Sequence, residues 1–131
     1  MEETLAIVKP DAFAKKYTWD IIKRYSDAGL DVVKIKIEVP NKALCEKHYM
    51  EHKGKPYFNS LIDFLSSGPV CVMILRGEGA VSKVRELNGN KDPEKAAEGT
   101  IRRQYGEDEV KNAVHASDSK LHAEREISLW F

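Results

Sequence analysis

Two apolar stretches, residues 5–8 (Leu-Ala-Ile-Val) and 70–75 (Val-Cys-Val-Met-Ile-Leu), run without any polar interruption. A strand with one wet face alternates with a period of two, so an unbroken run fits a strand covered on both sides or flanked by neighbours. Both stretches are therefore expected at the centre of a sheet. Val33, Ile35, Ile37 and Val39 do alternate, with Lys34, Lys36 and Glu38 between them, until Pro40. That pattern predicts an edge strand burying one face. Ile127, Leu129 and Phe131 alternate with Ser128 and Trp130 in the same way and predict a second edge strand at the end of the chain.

The segments between them read as helices. Ile21, Ile22, Tyr25 and Ala28 repeat at helical spacing after Thr18, a plausible N-cap, and Gly29 supplies a left-handed close. Asn41 can cap a helix to about residue 50, a second is expected over about 59–67, and Ala80, Val81, Val84 and Leu87 mark another that ends before Gly89. Residues 90–111 form a long polar loop, of a size that is usually functional in a compact domain. A last helix is expected over 118–126. The order of elements predicts an α/β (α+β) chain of the ferredoxin-like βαββαβ plan, with helices packed on a four-stranded antiparallel sheet. At 131 residues it reads as one domain, 1–131.

Lys and Arg together number 21 and so do Asp and Glu, so no global field draws in nucleic acid or an anionic membrane. Any anion site must be local. Cys45 and Cys71 are far apart and read as free thiols of a reducing compartment. The acidic opening Met1-Glu2-Glu3 does not suit a targeting peptide, and no apolar run is long enough to span a bilayer. A cytoplasmic protein is expected.

The chemistry concentrates in 112–119, Asn-Ala-Val-His-Ala-Ser-Asp-Ser, just before the last helix. A neutral imidazole can attack an electrophile, and histidine's reference pKa of ~6.5 leaves roughly three quarters of it neutral at pH 7. The same residues also describe an ordinary loop with a helix cap at Ser117 or Asp118. Glycine-rich phosphate loops of either common kind are missing. His48 and His52 have the spacing of a metal pair but lack a third ligand. Lys9, Arg85 and Arg102 could hold phosphate, arginine through two parallel N–H bonds, although in a chain this rich in cations any one of them could be a solvated surface group.

Val8-Lys9-Pro10-Asp11, His48-Tyr49, Lys55-Pro56-Tyr57-Phe58, Ser67-Gly68-Pro69-Val70, Gly99-Thr100-Ile101-Arg102, the 112–119 stretch and Glu126-Ile127-Ser128-Leu129-Trp130-Phe131 occur in that order. The ordered set, with its His-x-Ser-Asp-Ser core, closely resembles the nucleoside diphosphate kinase family over residues 4–131. The resemblance implies transfer of the terminal phosphate of ATP or another nucleoside triphosphate to His115, and from there to a nucleoside diphosphate, with broad base tolerance. A histidine N–P bond is energetic enough to give its phosphate back, which a serine ester is not.

Carried over residue by residue, the resemblance implies that Glu126 accepts the proton on the other ring nitrogen of His115. Ser117 is expected to hydrogen-bond near His115 or the phosphate in flight. Lys9, Tyr49, Arg85 and Arg102 are expected around the phosphates, and Lys9 and Asn112 at the sugar 3′-hydroxyl. Tyr57 is expected against the base with Leu61 nearby. Magnesium is expected as the cofactor, bridging phosphate oxygens without requiring a direct protein ligand. Homo-oligomers, tetramers or hexamers, are implied, though many family members continue past the position of Phe131 with a tail that helps join subunits.

Four positions depart from the family's usual residues. Lys91 stands where a threonine is common and is expected to contact the β-phosphate; Glu109 replaces an often apolar residue across the base. Glu98 replaces a proline and Ala116 a glycine. Two other classes compete with an enzyme: a nucleotide-binding scaffold without turnover, disfavoured by the presence of His115, Glu126, Lys9 and Arg102, and an RNA-binding module, disfavoured by neutral charge and the lack of an aromatic RNA-binding strand.

Overall fold

The computed structural model describes all residues, Met1–Phe131. Its sheet has the order β2-β3-β1-β4, from β1 (Glu2–Val8), β2 (Asp31–Glu38), β3 (Val70–Gly77) and β4 (Val114–Ala116). All three pairings are antiparallel.

The two uninterrupted runs are the central strands, and the reason is visible in the packing. Ala6, Val8, Cys71, Met73 and Leu75 face one buried cluster; Leu5, Ile7, Val70 and Val72, one residue out of phase, face another. On the first side lie α1 (Pro10–Ala14), α2 (Thr18–Asp27), α5 (Ala80–Asn88) and α6 (Ile101–Tyr105), through Ala12, Tyr25, Val84 and Ile101. On the second lie α3 (Lys42–His48), α4 (Phe58–Leu65) and α7 (Lys120–Trp130), through Cys45, Ile62 and Trp130. With helices on both faces, neither strand needs a polar side.

Four expectations are corrected. Residues 127–131 are not a strand: α7 continues to Trp130, and the fourth strand is the three-residue β4, which carries His115 itself. The cap of α7 is Ser119, whose side chain accepts from His122 N–H, rather than Ser117 or Asp118. Thr18 does not cap α2 but is its first residue, behind Tyr17 at the cap position with no side-chain cap bond. β2 is an edge strand as expected, but with a bulge between Val32 and Lys34, and Val33, Ile35, Ile37 and Val39 stay 38–58% exposed. Within one chain its apolar face is uncovered.

Two caps follow the sequence closely. Asn41 accepts from Leu44 N–H at the start of α3, and Gly29 closes α2 at φ 90°. The 90–111 loop contains α6, capped by Thr100, and a 3₁₀ turn (Met50–His52) links α3 towards α4.

Candidate active site

β4 pairs with β1 so that His115 lies opposite Ile7. Directly opposed residues share a face, so the imidazole emerges on the α3/α4/α7 side. There its Nε2 lies 2.6 Å from Glu126 Oε1, on α7. Ser117 Oγ donates to the same carboxylate oxygen at 2.9 Å. Ser117 and Glu126 are both buried, while the His115 side chain keeps 19% of its surface open. The serine thus hydrogen-bonds beside His115, on the carboxylate that the imidazole also meets. The contact with Glu126 occupies Nε2 and leaves Nδ1 as the ring nitrogen available for chemistry.

His48, from the end of α3, packs edge-to-face on His115 with ring centroids 4.4 Å apart. Trp130 Nε1–H donates to its Nδ1 at 3.1 Å. Burial, and next the neighbouring His115, push the His48 pKa well down, so it stays neutral. His48, His115 and Glu126 bring ligand-type atoms within 4.8 Å of one another. A neutral imidazole has one lone pair, however, and in His48 the tryptophan N–H already takes it. This trio is not a metal centre. His52, whose Nδ1 lies 2.7 Å from Tyr57 Oη, is not among the ligand-type groups that gather at His48.

Cations gather where β1 ends and β4 begins, close enough that Lys9 helps to lower the His48 pKa. Lys9, at the exit of β1, is buried and donates through Nζ to Asn112 Oδ1 at 2.9 Å. Burial, then the Arg102 charge, lower the Lys9 pKa to about 8. Asn112 in turn donates through Nδ2 to the carbonyls of Lys91 (2.9 Å) and Glu109 (3.2 Å). Arg102 donates to the carbonyls of Gly89 and Val114, both at 2.9 Å. Gly89 must be glycine: its φ is 84°, and a Cβ there would sit 2.7 Å from Thr100. Arg85 reaches the Asp118 carbonyl at 3.5 Å.

Arg85, Lys91 and Arg102, with Asn88, Ala116 and Asp118, line an open cleft of about 580 Å³. Glu86 and Asp118 line it as well, so its three cations leave a small positive excess, and His115 is not among the lining residues. Tyr49 is buried between His48 and His52, with ring centroids 4.8 and 5.9 Å away. Tyr57 is 44% exposed, whereas Leu61 is half-buried against the second core cluster and offers little more than an edge. The side chains of Lys91 and Glu109 are exposed.

This arrangement can be compared with known proteins. The family model described as nucleoside diphosphate kinase matches residues 2–131. The chain belongs to that family. It is 50% identical over 131 residues to the nucleoside diphosphate kinase of Caldanaerobacter subterraneus subsp. tengcongensis, covering 100% of this chain and 94% of that one. It is 49% identical over 134 residues to that of Pyrococcus furiosus, covering 100% and 83%. Its structure is similar to a crystal form of the Aquifex aeolicus nucleoside diphosphate kinase, with a TM-score of 0.97 and 41% identity over 99% of this chain and 94% of that one. The four-stranded ferredoxin-like fold expected from the order of elements is the one found.

Two residues beside His115, His48 and Trp130, stand in segments that carry the family resemblance but have no role assigned by it; otherwise His48 reads as half of a metal-like pair and Trp130 as part of an alternating run.

Proposed function

We propose that Nδ1 of His115 takes the terminal phosphoryl group of a nucleoside triphosphate and hands it to a nucleoside diphosphate. The protein, as a member of its family, is a nucleoside diphosphate kinase working through a phosphohistidine. The observation that supports the choice of atom is the 2.6 Å contact between His115 Nε2 and Glu126. In the first half-reaction the Nδ1 lone pair attacks the γ-phosphorus, and the bond to the β–γ bridging oxygen breaks to release a diphosphate. The proton on Nε2 stays on the ring, where the carboxylate stabilises the positive charge that develops. In the second half-reaction a terminal oxygen of another diphosphate attacks the same phosphorus and returns His115 to its starting state.

Arg85, Arg102, Lys91 and Tyr49 are assigned to the phosphates, because the three cations share the cleft beside β4. Lys9 and Asn112 are assigned to the sugar 3′-hydroxyl as a pre-formed donor–acceptor pair. Tyr57 offers an exposed ring to the base, with Leu61 behind it; stacking on a π face accepts every base, which supports broad specificity and a role in balancing nucleotide pools.

Magnesium is the proposed cofactor. Asp118 is an exposed carboxylate on the cleft wall beside Arg85, a hard oxygen donor that fits an ion carried in mainly by nucleotide phosphates. When bound it offsets phosphate charge. A homo-oligomer, tetramer or hexamer, is proposed on the exposed apolar face of β2, which one chain leaves uncovered. No helix is long and apolar enough to cross a membrane, and a cytoplasmic location is proposed.

Incubation with magnesium and γ-labelled ATP tests the reading. An acid-labile, base-stable phosphoprotein should form, discharge onto GDP or CDP, and be absent in His115→Ala. Label that stays on the protein after diphosphate is added would mark a binder or a relay instead.

A further inference from the structure

The turn that delivers His115 to its place is strained, and a residue outside the site holds it. Ala113 is fully buried and has φ 74°. Val114 N–H donates back to the Asn112 carbonyl at 2.9 Å, so residues 112–114 form a γ-turn of the hand that puts positive φ at its centre. An alanine there is costly, and such backbone persists only where the surroundings over-determine it.

Those surroundings are the residues leaving β1. Lys9 N–H donates to the Ala113 carbonyl at 2.9 Å, and Ala113 N–H donates to Asp11 Oδ2 at 3.0 Å. Both backbone polar groups of Ala113 are thereby clamped by one short segment. The turn's geometry matters on both sides: the residue before Ala113 is Asn112, whose Oδ1 accepts from Lys9 Nζ, and two residues beyond it is His115. A rotation at Ala113 would swing both. Asp11 makes no ion pair within 4.0 Å, and its other oxygen, Oδ1, is buried without a partner. Asp11 is half-buried in the first turn of α1, and its side-chain hydrogen bond to another element is the one to Ala113 N–H.

We propose that Asp11 is a positioning residue for phosphoryl transfer: it holds the Asn112–Ala113–Val114 γ-turn in its positive-φ form and so sets His115 Nδ1 in register with the Lys9–Asn112 pair. This rests on the phosphohistidine reading and adds a residue to it. The rival account is that Asp11 acts through its charge on Lys9. Asparagine separates the two, because its amide oxygen keeps the acceptor and drops the charge.

The test is the rate of phosphoenzyme formation with magnesium–ATP in the full chain, for wild type, Asp11→Ala, Asp11→Asn, Ala113→Gly and Asp11→Ala/Ala113→Gly, with melting temperature as the folding check. Wild-type label at His115 establishes the underlying reading by itself; its absence would overturn that reading and this proposal together. Asp11→Ala is expected to slow labelling by up to about a hundredfold, the scale of a small misplacement of a reacting group. Asp11→Asn is expected to recover most of that loss. Glycine adopts positive φ without a Cβ penalty, so Ala113→Gly in the Asp11→Ala background is expected to restore at least about tenfold. If Asp11→Ala does not fold, Asp11→Asn and the double variant carry the comparison against wild type. An Asp11→Asn rate as low as that of Asp11→Ala, no recovery in the double variant, or an Asp11→Ala rate within about twofold of wild type would each overturn the proposal.

Discussion

Glu126 Oε1 lies 2.6 Å from His115 Nε2 and receives Ser117 Oγ–H at 2.9 Å, so one buried carboxylate oxygen touches both the imidazole and the serine. Glu126→Ala removes that contact and frees a buried serine hydroxyl. Phosphoenzyme formation is expected to slow by between about tenfold and a thousandfold, with nucleotide KM nearly unchanged, because Glu126 acts on the ring and not on the substrate. Single-turnover labelling with ATP checks it; a loss confined to KM would contradict the assignment.

Arg102 has two duties. It faces the cleft, and it also donates to the carbonyls of Gly89 and Val114, tying the end of α5 to β4. Arg102→Met leaves those two carbonyls short of donors, at about 1 to 3 kcal/mol each where burial is complete. Both a lower unfolding midpoint and a large loss of kcat/KM are expected. Unchanged stability in denaturant titration would show that the two bonds contribute nothing.

Why the site was only partly legible is clear from α7. Its buried positions are Ala123, Glu126 and Trp130, spaced as one helical face. An acid at the centre of that face broke the apolar period and left a two-residue alternation over 127–131, which mimics a strand. The residue that hid the helix is the one that meets His115. β4 was invisible for another reason, since three residues are too few to show any period. Central strands β1 and β3 were plain because burial on both faces forces an uninterrupted run, while the open face of β2 was not, because alternation reports that a face is apolar and not what covers it. Lys9 and Arg102 were candidates as cations, but in a chain this rich in them only the family resemblance singled them out, and Asn112 with them.

Lys9 gives the site its alkaline limit. Burial and Arg102 bring its pKa to about 8, so the cation is mostly present at pH 7 and is lost as pH rises through that value. kcat/KM, which reports the free enzyme, is expected to fall on the alkaline side with a midpoint near 8. A profile flat to pH 10 would contradict it.

His122 gives stability the opposite kind of limit. Its two ring nitrogens face Asp118 and Glu51, with Arg125 also on Glu51, and the hydrogen bond it donates to Asp118 raises its pKa. A raised folded-state pKa stabilises fully below the unfolded value of ~6.5, and that contribution is lost as pH rises through the folded value. The difference in melting temperature between wild type and His122→Ala is therefore expected to be largest in mild acid and to shrink towards alkaline pH. A difference that grows with pH would contradict the arrangement.

The most direct measurement is the position of the phosphate on the ring. Phosphoenzyme made with magnesium–ATP and digested in base should yield a His115 phosphorylated at Nδ1, distinguishable by phosphorus NMR from the Nε2 isomer, and the intact phosphoenzyme should discharge onto added nucleoside diphosphate. Phosphate found on Nε2, or on a residue other than His115, would contradict the account.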